Sequence, residues 1–507
     1  MSTSVAPTMG RGAPADRPRW HSSRARARGT PIFGGMTPID QKLAALVGYP
    51  RVDPGFVTIF GDALKAADHL ERINPRTFAR THGFDAEATL DLFLVGAKVG
   101  LFDVQFHLVC PGCGALESST DNWNGLAKES TWCAVCNVDV PVILDDHVEV
   151  TFSAAETYRK TSLDGYADQA SYWRRFFSAS FERSAALSSF VASIFRGFGI
   201  VKGESSLAIP VTLLNGDRLR VISADAHSAV HVLVAEGAPR SVTLDMVPAG
   251  FTGGEVTIAP GESEIVVRNV RPTPVGVMVV LNRVEDVLAI LKVHPNRFLP
   301  FLSAKNLLNH QRFRDLFKAQ NLDPSLRLTL RSLTLLFTDL KGSTALYDST
   351  GDVTAYAVVQ AHFDALMAAV RAHGGAVVKT MGDAVMASFS SPEDALEAAD
   401  DMMRAMAPLE ARVRGLGYST GLKVGIHEGA ALAVSSDDRL DYFGQTVNIA
   451  ARVQALADAG EIWVTDAVMK SARVAELVRE RSFVVEQRQV ALKGVGLPAD
   501  VFRLHRG

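Results

Sequence analysis

The chain has 507 residues, 47% of them hydrophobic and 21% charged, enough for about three domains with buried cores of their own. Its 52 basic and 55 acidic side chains leave a formal net charge of −3, which argues against a dominant nucleic-acid surface. No apolar run reaches the roughly 18 residues that a membrane-spanning helix needs, and the first 35 residues lack the apolar core of a secretory signal, so the expected location is the cytoplasm.

Residues 1–35 carry six Arg, no Lys and one Asp among many Pro, Ser and Gly, and read as a disordered basic tail. Order begins just after Met36, which is an alternative start to Met1. Residues 36–150 read as a helical region followed by a zinc ribbon. Asn74-Pro75 is a cap with proline at the first helical position, and that helix ends at His82-Gly83. A second helix runs from Asp85 to Gly96, and a strand from Gly100 to Phe106 leads onward. The outline is winged-helix-like, but Asp85, Glu87 and Asp91 make the second helix acidic, which favours a protein contact over DNA. All four cysteines follow, as Cys110-Pro-Gly-Cys113 and Cys133-Ala-Val-Cys136, with 19 residues between the pairs. That spacing suits a structural zinc ion with four thiolate ligands and no position left open for chemistry. A disulfide pairing is the weaker reading for a chain without a signal.

Residues 151–200 read as a helical segment, with one amphipathic helix from Gln169 to Gly199 carrying Tyr172, Phe176, Phe177, Phe181, Phe190 and Phe195. Residues 201–290 switch to short strands, at Leu219–Ile222, Val230–Val234, Glu255–Ile258, Glu264–Val267 and Val275–Val280, which predicts a β-sandwich. His227 and His231 within it do not amount to a metal site. Residues 291–330 read as a helical, charged linker, closing near Asn321–Pro324.

Chemistry concentrates after residue 330. An apolar run, Leu333 to Phe337, delivers Asp339 to a small polar turn, Lys341-Gly-Ser-Thr344. Forty-four residues past Asp339, Val377–Met381 and Ala384–Phe389 form a hairpin with Gly382-Asp383 at its turn. If these strands are neighbours, Asp339 and Asp383 repel each other unless cations lie between them, and hard divalent cations prefer carboxylate oxygen. A third segment, Asp441 to Arg452, opens as a loop and becomes a helix with Asn448 and Arg452 four apart on one face. Asp339 alone would be an ordinary turn residue and Lys379 or Arg452 alone a solvated charge; it is the ordered set that points to a site.

These segments resemble the catalytic domain of the class III adenylate and guanylate cyclases over about residues 331–507, a ferredoxin-like, palm-type α/β domain. The resemblance implies that Asp339, Asp383 and the carbonyl of Leu340 bind two Mg²⁺ or Mn²⁺ ions. It implies that Lys379 and Asp441 read the purine, a pair that in this family suits ATP, where guanylate-forming members carry Glu and Cys. Asn448 would orient the ribose and Arg452 stabilise the pentavalent phosphorus. Lys493 resembles the lysine that holds the terminal phosphates, and Lys423 stands where many relatives have a phosphate-binding Arg. His427, in an apolar strand, reads as a structural histidine.

The implied whole is a multidomain α+β chain: an N-terminal helical region with a zinc ribbon, a central β-sandwich and the cyclase domain. It resembles bacterial cyclases that carry a domain of unknown function with a zinc ribbon ahead of the catalytic part. The expected activity is conversion of ATP to cyclic AMP and pyrophosphate in a homodimer with shared sites. The alternatives are a guanylate cyclase, or a zinc-ribbon protein that senses nucleotide without turning it over. A protein or small-molecule effector is expected at the N-terminal domains; nucleic acid is not.

Overall fold

The computed structural model describes residues 37–126, 129–145, 147–158, 164–317, 328–343, 352–415, 419–436, 439–493 and 498–506, with the side chains of 352–356 and of Ser436 excepted. The basic tail, Met36, Thr344 and the Asn321–Pro324 stretch lie outside the described residues.

Four helices open the fold: α1 (Pro38–Leu46), α2 (Pro54–Ala66), α3 (Pro75–His82) and α4 (Ala86–Val99). Thr37, Asp53, Asn74 and Asp85 each accept a hydrogen bond from a first-turn amide, supplying the partners those amides lack within a helix. Phe60, Phe78 and Phe93 pack edge to face at their centre, with Phe60 and Phe93 centroids 5.2 Å apart. The chain continues as β1 (Phe102–Val109), β2 (Leu116–Thr120), the hairpin β3 (Ser130–Cys133) and β4 (Val138–Pro141), and β5 (Val148–Ala154). β1 pairs with both β2 and β5 in a three-stranded antiparallel sheet, and β3 and β4 form a separate two-stranded sheet. The expected boundary at residue 150 falls inside β5.

The single helix expected from Gln169 to Gly199 is corrected to α5 (Gln169–Phe176), the two-residue strand β6 (Phe181–Glu182), α6 (Ala185–Ile194) and β7 (Phe195–Val201). Ser184 caps a new helix start, and Gly197 and Gly199 lie so close to Ile209 and Leu207 that a Cβ would approach them to 2.7 and 2.6 Å. The aromatic stripe packs toward the core but is shared among four elements, α5, β6, α6 and β7.

The sandwich has more strands than the sequence suggested: β8 (Ser205–Leu213), β9 (Arg218–Ser223), β10 (Ser228–Val234), β11 (Ser241–Val247), β12 (Gly250–Phe251), β13 (Val256–Ile258), β14 (Gly261–Asn269) and β15 (Val275–Leu281). They form two sheets, ordered β13-β10-β9-β15-β7 and β12-β11-β14-β8, around a core that includes Val221, Val232, Leu244, Ile265 and Val277. The helical linker is corrected as well. It comprises α7 (Val284–Val293), β16 (Arg297–Phe298), α8 (Ala304–Leu308) and α9 (Gln311–Leu316), and its buried Leu302, Leu307, Leu308 and Phe313 belong to the N-terminal core.

The catalytic region is an eight-stranded sheet built from β17 (Leu328–Lys341), β18 (Ala376–Met381), β19 (Ala384–Phe389), β20 (Gly421–Ser436), β21 (Arg439–Phe443), β22 (Glu461–Thr465), β23 (Val484–Val490) and β24 (Ala499–His505). Its path runs β18-β19-β17-β20-β22-β24-β23, with β21 on β20. Its helices are α10 (Asp352–Ala372), α11 (Pro392–Gly415), α12 (Gln445–Gln454), α13 (Asp466–Met469) and α14 (Ala472–Glu480). Side chains alternate across the sheet. Leu336, Leu340, Val385 and Ala387 face a core shared with α10 and α11, while Leu333, Leu335, Phe337 and Met386 belong to the core of the N-terminal half. The two halves of the chain therefore share one hydrophobic core. Backbone bonds continue the joint: Leu144 N–H donates to Thr329 at 3.2 Å, and Asp145 accepts from the amides of Arg331 and Ser332 at 2.8 and 3.1 Å.

Candidate active site

β17 lies between β19 and β20, so Asp339 leaves the sheet directly beside the β18–β19 turn. Met381 and Ala384 pair across that hairpin, and Gly382, with φ 64°, opens the two-residue turn whose second member is Asp383. Thr338 Oγ1 accepts the Val385 amide at 3.0 Å and ties the turn to β17. Beneath the acids, the fully buried His362 of α10 donates from Nε2 to the Asp383 carbonyl at 3.0 Å. Burial holds the His362 pKa down, so the ring stays neutral and keeps that donor.

The two carboxylates differ. Asp339 accepts a hydrogen bond from Lys423 Nζ at 3.2 Å, its partner across β17 and β20. Asp383 Oδ2 is buried and has no partner. A buried, unpartnered carboxylate oxygen beside a second acid fits a divalent cation, because such oxygens cost stability unless something binds them. Leu340, 2% exposed, lies between Asp339 and the tight turn at Gly342, whose φ of 85° and close approach to the Ser419 carbonyl exclude a side chain. The residues present thus fit the expected ions.

Lys379 on β18 and Asp441 on β21, 62 residues apart in sequence, meet with Nζ 2.7 Å from Oδ2. Both are partly exposed, so a donor and an acceptor stand side by side at a surface a base edge can reach. Asn448 is exposed and Arg452 half-buried on α12, and neither has a hydrogen-bond partner among the described residues. α12 is set close against β20: a Cβ on Gly425 would lie 2.1 Å from the Gln454 amide nitrogen, and Thr446 Oγ1 donates to the Ala430 carbonyl at 2.5 Å. Lys493 is exposed and follows Leu492, which is buried with Val453 of α12. His427 is buried and hydrogen-bonded to Thr465 at 2.8 Å; burial depresses its pKa to about 4.

Sequence reasoning missed a set of residues from the N-terminal half that hold the Lys379–Asp441 pair from behind. Gln311 Oε1 accepts the Val377 amide at 2.7 Å, two residues from Lys379. Arg314 donates to the Leu440 carbonyl at 2.9 Å, next to Asp441, and its guanidinium lies over the Tyr442 ring. The Tyr442 hydroxyl donates to the fully buried Asn309 at 2.8 Å. A charged helix shortly before the catalytic strand was the only trace of this in the sequence.

At the two CxxC knuckles, the four cysteine Sγ atoms lie within 4.8 Å of one another, with Cys113 and Cys133 sulfurs 3.6 Å apart, and all four are free thiols. That separation matches the edge of a tetrahedron with ~2.3 Å zinc–sulfur bonds and is far beyond a disulfide. Hydrogen bonds from its three neighbours pull the Cys110 thiol pKa down, while sharing pushes Cys113 and Cys133 up.

Residues 62–315, half of the chain, match the family of unknown function DUF5939. The chain belongs to that family. Residues 329–505 match the adenylate and guanylate cyclase catalytic domain, so this DUF5939 member carries a cyclase domain in its C-terminal third. A receptor-type adenylate cyclase of Trypanosoma congolense is 30% identical over 209 residues, which are 34% of this chain and 28% of that protein. An adenylate cyclase of Lachancea kluyveri is 32% identical over 161 residues, 28% of this chain and 9% of that one. The chain thus spans less than a third of the length of these relatives. The adenylyl cyclase CyaB from P. aeruginosa, a solved structure, is 22% identical with a TM-score of 0.31, covering 36% of this chain and 96% of that one. Among the described residues no helix is long and apolar enough to cross a membrane.

Proposed function

We propose that the chain converts ATP to 3′,5′-cyclic AMP and pyrophosphate. The observation that carries this reading is the pairing of two features: the unpartnered Asp383 oxygen beside Asp339, and the Lys379–Asp441 donor–acceptor pair. Two Mg²⁺ or Mn²⁺ ions held by Asp339, Asp383 and the Leu340 carbonyl would supply acidity to the ribose 3′-hydroxyl and neutralise the triphosphate. The remaining work falls to side chains. Lys379 donates to the adenine ring and Asp441 accepts from its amino group, so the ion pair they now share opens to admit the base. Asn448 orients the ribose, and Arg452 stabilises charge developing on the α-phosphorus, an electrostatic role worth about two to three decades in rate. Lys493 holds the terminal phosphates, and Lys423 balances the charge of Asp339. His362 fixes the backbone of Asp383 and moves no proton.

We further propose a head-to-tail homodimer, in which one protomer supplies the acids and its partner the base readers, Asn448 and Arg452. The ribbon holds structural zinc. ATP is the expected substrate because a guanine edge presents an oxygen acceptor and a ring donor where adenine presents the reverse, leaving groups unpaired at about 1–3 kcal/mol each. The test is the ratio of ATP to GTP turnover under one Mn²⁺ concentration, in wild type and in Lys379→Glu with Asp441→Cys. Wild type is expected to favour ATP and the double variant to lose that preference. A wild type that favours GTP makes the chain a guanylate cyclase, and an unaltered ratio in the variant removes these residues from base recognition.

A further inference from the structure

A cavity of about 210 Å³ lies within the DUF5939 half, away from the acids, between the sheet of β9 and β15, the helices α6 and α7, and both cysteine knuckles. Its walls are hydrocarbon, with Leu187, Val191, Met278, Val280 and Val287 prominent among them. α7 covers it without packing down. The sequence Val284-Glu-Asp-Val-Leu-Ala-Ile-Leu-Lys-Val293 is largely apolar, yet none of its residues is buried, and Leu288 is 50% exposed. A helix of that composition ordinarily buries one face, so its inner face is available to something that enters beneath it.

The cavity wall carries three cationic side chains beside the cluster cysteines Cys113 and Cys136, whose nearest cation is Arg220. Arg183, Arg220 and Arg283 line it, and no Asp or Glu does. Arg220 is 3% exposed and spends its terminal nitrogens on the carbonyls of Val135 and Ala134, at 2.9 and 2.5 Å, where it also faces the cysteine cluster. Its Nε has no partner. Arg183 stacks on the Trp173 ring at 5.7 Å, and Arg283 begins α7 without capping it; among the described residues neither is paired with a carboxylate. Elsewhere in the chain exposed arginines such as Arg268 and Arg297 are paired with acids. An apolar chamber with unpaired guanidinium groups on its wall selects a molecule with a hydrocarbon body and one anionic end.

We propose that this cavity binds an amphipathic monoanion, an aliphatic chain ending in a carboxylate, with its tail between Met278 and Val287 and its head at Arg183 and Arg283. The claim concerns binding and is independent of the cyclase reading. α7 is joined through α8 to α9, the helix that holds the Lys379–Asp441 pair, so an occupant beneath α7 sits on the covalent path to the catalytic sheet.

The experiment is titration calorimetry of the zinc-loaded full chain with decanoate, decyl phosphate, decanol and decyltrimethylammonium. Saturable one-to-one binding of decanoate is expected, with the cationic amphiphile at least tenfold weaker and short acetate not bound. Arg183→Gln with Arg283→Gln should weaken decanoate at least tenfold and leave decanol within about twofold. Met278→Trp should abolish both by filling the chamber. Leu288→Glu changes a half-exposed position that tolerates charge, and should repel decanoate while retaining decanol. Tighter binding of decyl phosphate than of decanoate would overturn the carboxylate assignment. Non-saturable uptake, equal affinity for the cation, or unchanged binding in Leu288→Glu would overturn the site.

Discussion

Replacing Arg314 with alanine removes one of the ties between the DUF5939 half and the base-reading pair. Arg314 donates to Leu440 at 2.9 Å and to Leu308 at 2.8 Å, and its guanidinium centre lies 5.2 Å from the Tyr442 ring centroid. The Leu308 bond is internal to the α8–α9 segment, so only the other two contacts bear on β21. A hydrogen bond from a charged donor contributes about 1.5–3 kcal/mol, and a partly desolvated cation–π contact about 1 kcal/mol. The strap on β21 is therefore worth about 2–4 kcal/mol. If half of that is spent on holding Asp441 opposite Lys379, KM for ATP rises about tenfold, since each 1.4 kcal/mol is a factor of ten. The turnover number should fall less, because Arg314 touches neither Asp339 nor Arg452. Arg314→Lys keeps a charge but loses the fork and should recover part of the effect. The assay is initial-rate cyclic AMP formation over a range of Mn²⁺-ATP, with the ATP-to-GTP ratio and thermal unfolding of each variant measured alongside. An unchanged KM and an unchanged nucleotide ratio in a folded Arg314→Ala protein would refute the reasoning.

The other expectations are briefer. Cys110→Ser, or a strong chelator, should remove one zinc per chain by atomic absorption and expose residues 110–136 to protease before the catalytic region is attacked; one full equivalent retained in the variant would contradict four-thiolate binding. Burial depresses His427 to about 4 and His107 to about 3, from 6.5, so both fold neutral. The unfolded chain takes up their protons first, so this stability is complete above pH ~6.5 and is lost as pH falls toward 4, about 3 kcal/mol for His427 alone. Denaturant midpoints that stay level between pH 7 and 4.5 would contradict it. Mixed Asp339→Ala and Arg452→Ala proteins, each inactive, should regain activity at one site per heterodimer, whereas a verified heterodimer that stays silent would argue against sharing.

Legibility followed the range of the interactions. The Asp383 turn and the placing of Asn448 and Arg452 four apart on α12 are set within a few residues, and hairpin and helix spacing revealed them. The clustering of the four cysteines was equally readable, because each CxxC pair is local. The role of α9 was hidden, since Gln311 reaches across 66 residues and Arg314 across 126 to bonds with backbone groups that any residue carries. β8 was obscured by Pro210, which the sheet tolerates because β8 is an edge strand. The stretch from Gln169 to Gly199 misled because aromatic residues at helical spacing were divided among α5, β6, α6 and the glycine-containing β7. Lys423 beside Asp339 depended on the β17–β20 register, which no local pattern encodes.

The central claim rests on Asp383, the acid whose buried Oδ2 has no partner among the described residues. Its most direct test is the yield of cyclic AMP and pyrophosphate from Mn²⁺-ATP by the purified full chain, measured beside Asp383→Ala. The wild type should form the two products in equal amounts. The variant should form neither, while its melting temperature holds or rises, because it loses a carboxylate whose Oδ2 is buried without a partner among the described residues. No product from a folded, dimeric wild type, or full activity in the variant, would contradict the account.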